Sequence, residues 1–242
     1  MFGKLLSLFK KPLPVRASWA EEPAKMGTMV EFLNWFDSTI SVESTIAKAQ
    51  SDWRERITAF TGYDSLAKGR CLEIGFGGGR LVAQAAKDFT EAVGVDIHAA
   101  FARTREFLAS QSVTNARLVQ RDELPTLPDG ACDFIYSFIV FQHFDTLEEV
   151  DYYLRQCARL LAPDGRCHIF FGRGDDGVRV VDAKDFTKRA CSLFIEPPLF
   201  RERAAGLGLK VVEHEDELRR DITKPDGEGN VSVQARVLLA RS

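Results

Sequence analysis

The residues best suited to chemistry lie in Cys71-Leu72-Glu73-Ile74-Gly75-Phe76-Gly77-Gly78-Gly79-Arg80. An apolar run carrying a carboxylate passes into alternating glycines, and Leu81, Val82, Ala85 and Ala86 follow with helical spacing. Glycine allows positive φ and lets a ligand approach the backbone, so a ligand is expected on this turn, where a side chain at Gly77 would clash with it. A dinucleotide enzyme would need glycine at the sixth position of G-x-G-x-x-G. Counted from Gly75 that position is Arg80, too bulky for close helix packing, which disfavours a nicotinamide cofactor. The next apolar run, Val93-Gly94-Val95, ends in Asp96, 23 positions after Glu73, so both carboxylates face one crevice. Farther along, His143 follows another apolar run. Imidazole accepts a proton near neutrality, which makes His143 a candidate general base, with pocket lining or helix capping as the equally weighted alternative.

These groups need a frame that brings them together. Short apolar runs alternate with helical stretches of about ten to fifteen residues, the signature of βαβ units and a mainly parallel sheet. The spacing predicts strands over 70–74, 92–96, 116–120, 134–140 and 166–171, with helices over 79–89, 98–111 and 146–161. In the last of these helices Leu147, Val150, Leu154, Cys157 and Leu161 form the apolar stripe. Asp145 and Glu148 give it a capping-box-like start and Pro163-Asp164-Gly165 stops it. A helix near 199–205, a strand over 209–213 and an alternating strand over 231–240 close the chain, the last two as an antiparallel pair at the sheet edge. Upstream, Val42, Ile46, Ala49, Trp53, Ile57 and Phe60 mark a long amphipathic helix capped by Ser41, and a weaker helical pattern covers 26–36. Residues 1–65 therefore read as a helical leader and 66–242 as the ligand-binding domain.

Glu73, Gly75, Gly77 and Gly79 together form acidic-x-Gly-x-Gly-x-Gly, and here the chain resembles the class I S-adenosylmethionine-dependent methyltransferases. Three further stretches carry the resemblance in the same order: Val93-Gly94-Val95-Asp96, the segment Gln120-Arg121-Asp122-Glu123-Leu124 with Leu127-Pro128-Asp129, and Ser137 to Phe144 with its Gln142-His143 pair. Residues 73–171 are covered, while the leader and the C-terminal third match in layout only. The resemblance implies an α/β fold with a Rossmann-like, seven-stranded, mostly parallel sheet, helices on both faces and an N-terminal helical leader. It implies S-adenosyl-L-methionine as cofactor and no metal. Glu73, Gly75, Gly77, Gly79, Asp96, Ile97, Asp122, Glu123 and Ser137 become the expected cofactor-binding residues, Asp96 through two hydrogen bonds to the ribose diol and Asp122 through adenine, with Glu123 as its rival. His143 is the expected catalytic residue. Trp35 and Trp53 could close over the pocket as a lid, with plain packing the competing expectation.

Ser137-Phe138-Ile139-Val140 stands where enzymes that methylate amide or adenine nitrogens carry N/D-P-P-Y, which disfavours those targets. The expected reaction is methyl transfer to a small molecule, at oxygen before carbon, with a natural product, a sugar or a lipid-linked glycan as acceptor. The competing expectation is a catalytically silent scaffold on the same fold.

Composition supports a water-soluble enzyme: hydrophobic residues make up 45% and charged residues 28% of 242. A net charge of -3 offers no general attraction for phosphate backbones, so nucleic acid is disfavoured as a partner. The five cysteines show no C-x-x-C pair and the four histidines are dispersed, so neither a disulfide framework nor a zinc site is expected and a cytoplasmic location fits. His168 reads as a satisfied core residue and His214 as surface. Phe2, Leu5, Leu6 and Phe9 beside Lys4, Lys10 and Lys11 give residues 2–11 a short amphipathic face suited to weak contact with a membrane surface or a partner, although docking on its own domain is the plainer expectation.

Overall fold

The apolar runs become strands in the computed structural model, which describes residues 17–180, 191–218 and 234–242. β1 (Arg70–Ile74), β2 (Glu91–Asp96), β3 (Ala116–Gln120), β4 (Cys132–Ser137) and β5 (Leu161–Gly172) pair in parallel. A separate short pair, β6 (Val178–Val180) with β7 (Leu193–Ile195), follows. β8 (Leu209–Leu218) and β9 (Gln234–Arg241) complete the main sheet, β9 lying antiparallel between β5 and β8. The order β3-β2-β1-β4-β5-β9-β8 makes this the expected Rossmann-like sheet with an antiparallel closing pair. The chain builds outward from β1 to β3, then returns to lay β4 on the other side of β1. Open α/β sheets bind ligands outside the carboxyl ends of strands at such a reversal, here the ends of β1 and β4.

Alternation along the strands divides the apolar side chains between two faces. Leu72, Ile74, Val95 and Ile135 meet α6 (Leu147–Leu160) and, past it, α7 (Pro197–Gly206). Cys71, Ala92, Phe134 and Tyr136 meet the other layer. That layer holds α4 (Arg80–Asp88), α5 (Phe101–Ser110) and the leader, which comprises α1 (Ala17–Glu21), α2 (Met29–Asp37) and α3 (Val42–Asp52). Phe32 and Leu33 of α2 are fully buried there, each burial contributing about 1.5–3 kcal/mol. The leader is thus part of the core on this face.

Local signals explain the helix starts. Thr28 caps α2 in a capping box with Glu31, and Ser41 caps α3 in one with Ser44. At α6 the cap is Thr146, whose hydroxyl accepts from Glu149 N–H while Glu149 Oε2 accepts from Asp145 N–H at 2.9 Å. The expected Asp145 and Glu148 pairing is therefore shifted by one residue. Other boundaries moved for physical reasons. α3 ends at Asp52 and a π-helical turn, Trp53–Ile57, carries the chain onward, letting Trp53 and Ile57 turn into the core. β4 stops at Ser137 because Ile139 adopts a left-handed φ of 62°, which breaks the strand. Leu161 already pairs with Cys132, so β5 begins before Pro163-Asp164-Gly165 and the register jumps across that turn. The short β6–β7 pair was not anticipated, because three-residue strands carry too little periodicity to read. Residues 2–11 with their amphipathic face, and 231–233 of the expected final strand, lie outside the described residues.

Among the described residues no helix is long and apolar enough to cross a membrane, and no group of three or more His, Cys, Asp or Glu is placed to hold a metal ion. None of the five cysteines is in a disulfide, and four of them are buried.

Candidate active site

The turn after β1 forms as the glycine spacing requires. Gly75, Gly77 and Gly79 have φ of 79°, 50° and 86°. A Cβ at Gly75 would stand 2.4 Å from Val140 Cγ2, so β1 and the chain after β4 approach more closely than any side chain permits. Gly75 N–H donates to the Val95 carbonyl at 2.8 Å, fastening the turn to β2.

Gly77 is held on both sides of its peptide. Its N–H donates to Asp96 Oδ2 at 2.8 Å, and its carbonyl accepts from Thr104 Oγ1 at 3.1 Å and pairs with His98 Nε2 at 3.0 Å. His98 is fully buried beneath the turn and supports it from below. Asp96 Oδ1 accepts from Ile97 N–H at 2.6 Å and from His98 N–H at 3.3 Å. Backbone donors therefore hold this carboxylate at the end of β2, while Oδ2, with one of its two lone-pair directions used by Gly77, can still accept from a hydroxyl.

Glu73 points from β1 toward the leader and is almost fully buried, accepting from the Tyr136 hydroxyl at 3.1 Å. Burial pushes its carboxyl up to about 8; the Tyr136 bond and the nearby Arg80 charge work against this rise, whereas Asp37 and Asp96 add to it. Arg80, which made the turn a poor dinucleotide motif, lies in the first turn of α4 and pairs with Asp37 at the end of α2 and with Asp52 at the end of α3 (2.9 Å). All three side chains are buried. The arginine thus ties the glycine turn to the leader.

Glu73, Gly75, Gly77, Asp96, Ile97 and His143 all line one cavity of about 670 Å³ at the carboxyl ends of β1, β2 and β4. That size falls within the usual range for a small-molecule site. His143 sits on a 3₁₀ turn, Phe141–His143, just past β4. Above it, the Trp19 ring of α1 packs 4.7 Å from the imidazole and 6.0 Å from Trp35, while Ala99 N–H donates to the Ala20 carbonyl at 3.0 Å. α1 thereby crosses the cavity mouth from the β2 side to the β4 side. Trp53, one of the two expected lid residues, is instead a core residue beneath α4: its Nε1–H donates to Asp88 at 2.9 Å and its ring meets Tyr136 edge-on. Trp35 is buried and does not line the cavity. Trp19 was missed because a single aromatic in a five-residue helix carries no periodic signal.

The remaining expected residues stand apart from the cavity lining. Ser137 is buried and its hydroxyl donates to the Ile74 carbonyl at 3.1 Å, joining β4 to β1. Gly79 packs over Thr104 of α5 and begins α4. Glu123 caps the 3₁₀ segment after β3 by accepting from Gln120 N–H at 2.7 Å, whereas Asp122 beside it is exposed. Glu149, not anticipated, does line the cavity; burial raises its carboxyl to about 7 against the Asp145 N–H it accepts. His168 is a buried core residue whose Nδ1–H meets the Ile57 carbonyl at 2.9 Å, and burial lowers it to about 4. His214 is at the surface beside Asp216 and Arg201. A larger open depression of about 870 Å³, lined by Gln50, Trp53, Tyr63 and Lys87 among others, contains none of the expected cofactor-binding or catalytic residues.

Residues 72–169 match the family model described as a methyltransferase domain. No curated protein sequence matches the chain. Among solved structures, the PH0226 protein from Pyrococcus horikoshii OT3 superposes with a TM-score of 0.62 at 16% identity, over 87% of this chain and 96% of that one. The Burkholderia thailandensis 1,6-didemethyltoxoflavin-N1-methyltransferase, with 1,6-didemethyltoxoflavin and S-adenosylhomocysteine bound, gives 0.58 at 17% identity over 96% and 92%. The mitomycin 7-O-methyltransferase MmcR gives 0.56 at 19% identity over 82% of this chain and 54% of that one. Identities this low establish a shared fold, and the family match places the glycine turn, Asp96 and His143 within one functional domain. Residues 72–169 thus match a methyltransferase domain, set in a chain that shares the fold of solved methyltransferases.

Proposed function

We propose that the chain transfers a methyl group from S-adenosylmethionine to a hydroxyl oxygen of a small molecule bound in the 670 Å³ cavity, with His143 as the base. The observation that carries this reading is that the glycine turn, Asp96 and His143 line a single cavity beneath α1. The residues suit the cofactor: Gly75 and Gly77 give a side-chain-free turn, and Asp96 offers a fixed acceptor for a ribose hydroxyl. Ile97, beside Asp96 on the lining, offers an apolar surface for adenine, and Asp122 stands exposed after β3 for its amino group. Glu73, whose buried carboxyl holds its proton at neutral pH, lines the far end, while Gly79, Glu123 and Ser137 act one step removed by holding the turn, the loop after β3 and β4.

When bound, the sulfonium supplies an activated methyl group for in-line displacement. The chain's residues then have three tasks. The glycine turn and Asp96 fix the donor's position, His143 accepts the proton from the acceptor hydroxyl as its oxygen attacks, and the Trp19–His143 contact excludes water. Of the leader, residues 1–65, the described part from residue 17 onward serves as one wall and the cover of the site, and residues 66–242 act as the catalytic domain. An acceptor that fits such a cavity beside the cofactor is small, and the absence of N/D-P-P-Y at residues 137–140 favours oxygen over amide or adenine nitrogen.

The test combines isothermal titration with S-adenosylhomocysteine and transfer of a labelled methyl group across a panel of hydroxylated small molecules. His143→Ala should retain S-adenosylhomocysteine affinity and lower turnover on the accepted substrate by about a hundred- to ten-thousandfold. Turnover on an amine but on no hydroxyl compound would remove the oxygen assignment, and an unchanged rate in the variant would remove the base.

A further inference from the structure

Asp37 is the last residue of α2, nine-tenths buried, and it lines the cavity. Its Oδ1 meets Arg80 Nε, while its Oδ2 has no hydrogen-bond partner among the described residues. A buried carboxylate oxygen without a donor is costly, on the order of the full desolvation penalty of a charged group, and on a residue that lines the cavity such an atom calls for a donor. Position agrees: a Cβ built on Gly78 would stand 3.8 Å from Oδ2, so the oxygen lies against the glycine turn.

Charge agrees as well. The single guanidinium of Arg80 faces Asp37, Asp52 and Glu73, all buried. Among the described residues the other cations nearby do not reach Oδ2. Lys48 Nζ donates to the Asp37 main-chain carbonyl at 2.6 Å, and Arg56 approaches Asp52 at 3.6 Å with its side chain 41% exposed. Two buried carboxylates, Asp37 and Asp52, therefore share the one buried guanidinium of Arg80, and Asp37 Oδ2 is among the oxygens here without a hydrogen-bond partner among the described residues.

We propose that Asp37 Oδ2 accepts a hydrogen bond from the α-ammonium of the cofactor's methionine arm, which makes a leader residue a specificity determinant for the amino-acid end of the cofactor. The inference rests on the S-adenosylmethionine reading above. With the ribose at Asp96, the amino-acid arm would lie toward the turn that Gly75, Gly77 and Gly78 form, and Asp37 overhangs that turn.

The experiment compares two ligands on the unmodified chain and on Asp37→Asn by titration calorimetry. S-adenosylhomocysteine carries the ammonium; 5′-deoxy-5′-methylthioadenosine has the same adenosine thioether without the amino-acid arm. Asp37→Asn should weaken S-adenosylhomocysteine by about ten- to a hundredfold, as loss of a charged hydrogen bond does, and leave methylthioadenosine within about twofold. Equal losses for both ligands would reduce Asp37 to a structural tie for Arg80, and no loss for either would remove it from the site, each overturning the inference. If Asp37→Asn does not fold, Asp37→Glu keeps the charge beside Arg80 while displacing the free oxygen by one methylene, and the same selective loss is expected. Failure of the unmodified chain to bind either ligand would instead overturn the cofactor reading on which the inference depends.

Discussion

His98 and Gly77 are joined by a hydrogen bond whose direction is set from the opposite side of the ring. His98 Nδ1 accepts from Ala100 N–H at 3.0 Å, so the proton resides on Nε2, which donates to the Gly77 carbonyl at 3.0 Å. The neutral imidazole thus links the start of α5 to the glycine turn. His98→Ala leaves Ala100 N–H without its partner and opens space under the turn, which costs about 1–3 kcal/mol. Affinity for S-adenosylhomocysteine should fall about tenfold or more while the far-ultraviolet circular dichroism spectrum is retained. His98→Gln, which offers both an acceptor and a donor, should restore part of that affinity. A lower melting temperature with unchanged affinity would make His98 a packing residue only.

Gly77 meets the leader before it meets any ligand. A Cβ at this position would stand 2.8 Å from Phe36 Cδ1, in a backbone with φ of 50°. The expected clash of a Gly77 side chain with the ligand therefore has a closer competitor in Phe36. Gly77→Ala should lower the melting temperature in the absence of ligand, and Phe36→Ala should offset part of that loss in the double variant. A coupling of about 0.5–3 kcal/mol between the two sites is expected from denaturant titrations of the four proteins. Strict additivity would mean that the penalty comes from the backbone conformation alone.

Two buried groups give stability opposite dependences on pH. The Glu73 carboxyl is raised to about 8 from an ordinary 4.5, so the folded state holds a proton that the unfolded state releases, and stability is lost as pH rises toward 8. His168 is lowered to about 4 from 6.5, so the unfolded state takes up a proton first, and stability is lost as pH falls from 6.5 toward 4. The effects oppose one another below pH 6.5; above it the carboxyl effect remains, joined by Glu149, which is raised to about 7. Denaturant unfolding of the ligand-free protein should therefore show stability falling between pH 6.5 and 8, and Glu73→Gln should remove a large part of that slope. An identical slope in the variant would show that Glu73 is ionised throughout.

The sequence disclosed the sheet, the crossovers and the cofactor corner, because their signals are local: alternating apolar runs, a glycine triplet, and carboxylates at strand ends. Seven strands with an antiparallel closing pair follow from those runs, and Gly75, Gly77 and Asp96 meet at one cavity. The contributions of the leader were hidden because they depend on contacts distant in sequence. Asp37 and Arg80 are 43 positions apart, and the arginine that weakened the dinucleotide motif proves to anchor the leader. Ser137 illustrates the reverse difficulty: its place at the carboxyl end of β4 made it a ligand contact by position, whereas its hydroxyl is already engaged with Ile74. Asp88 was invisible for the same reason, although it receives both Trp53 Nε1–H and the Tyr63 hydroxyl.

That last contact gives a control remote from the cavity. Asp88→Ala leaves two donors on largely buried rings without their acceptor, at a cost of about 1–3 kcal/mol. The melting temperature should fall while S-adenosylhomocysteine affinity stays within about twofold, since neither Asp88 nor the rings it holds line the cavity. A parallel loss of affinity would mean that the leader and the glycine turn move as one unit, which would change how the leader variants are interpreted.

Trp19 tests whether α1 governs access to the site. The helix has five residues, too few to be stable alone, and it is held across the cavity by ring contacts with His143, Trp35 and Phe36 and by the Ala99–Ala20 hydrogen bond. Such a cover opens at low cost. Trp19→Ala removes all three ring contacts, so stopped-flow measurements should show S-adenosylhomocysteine entering and leaving faster, by about tenfold, with little change in equilibrium affinity. Turnover should fall because water now reaches the reacting oxygen and His143 loses the ring that packs against it. Trp19→Phe should restore much of the turnover, since a smaller ring can still cover the imidazole. If association and dissociation rates are the same in Trp19→Ala as in the parent, entry does not pass beneath α1. The helix would then be a fixed wall, and the route to the cavity would lie elsewhere on its rim, beside Cys191 or Ser38.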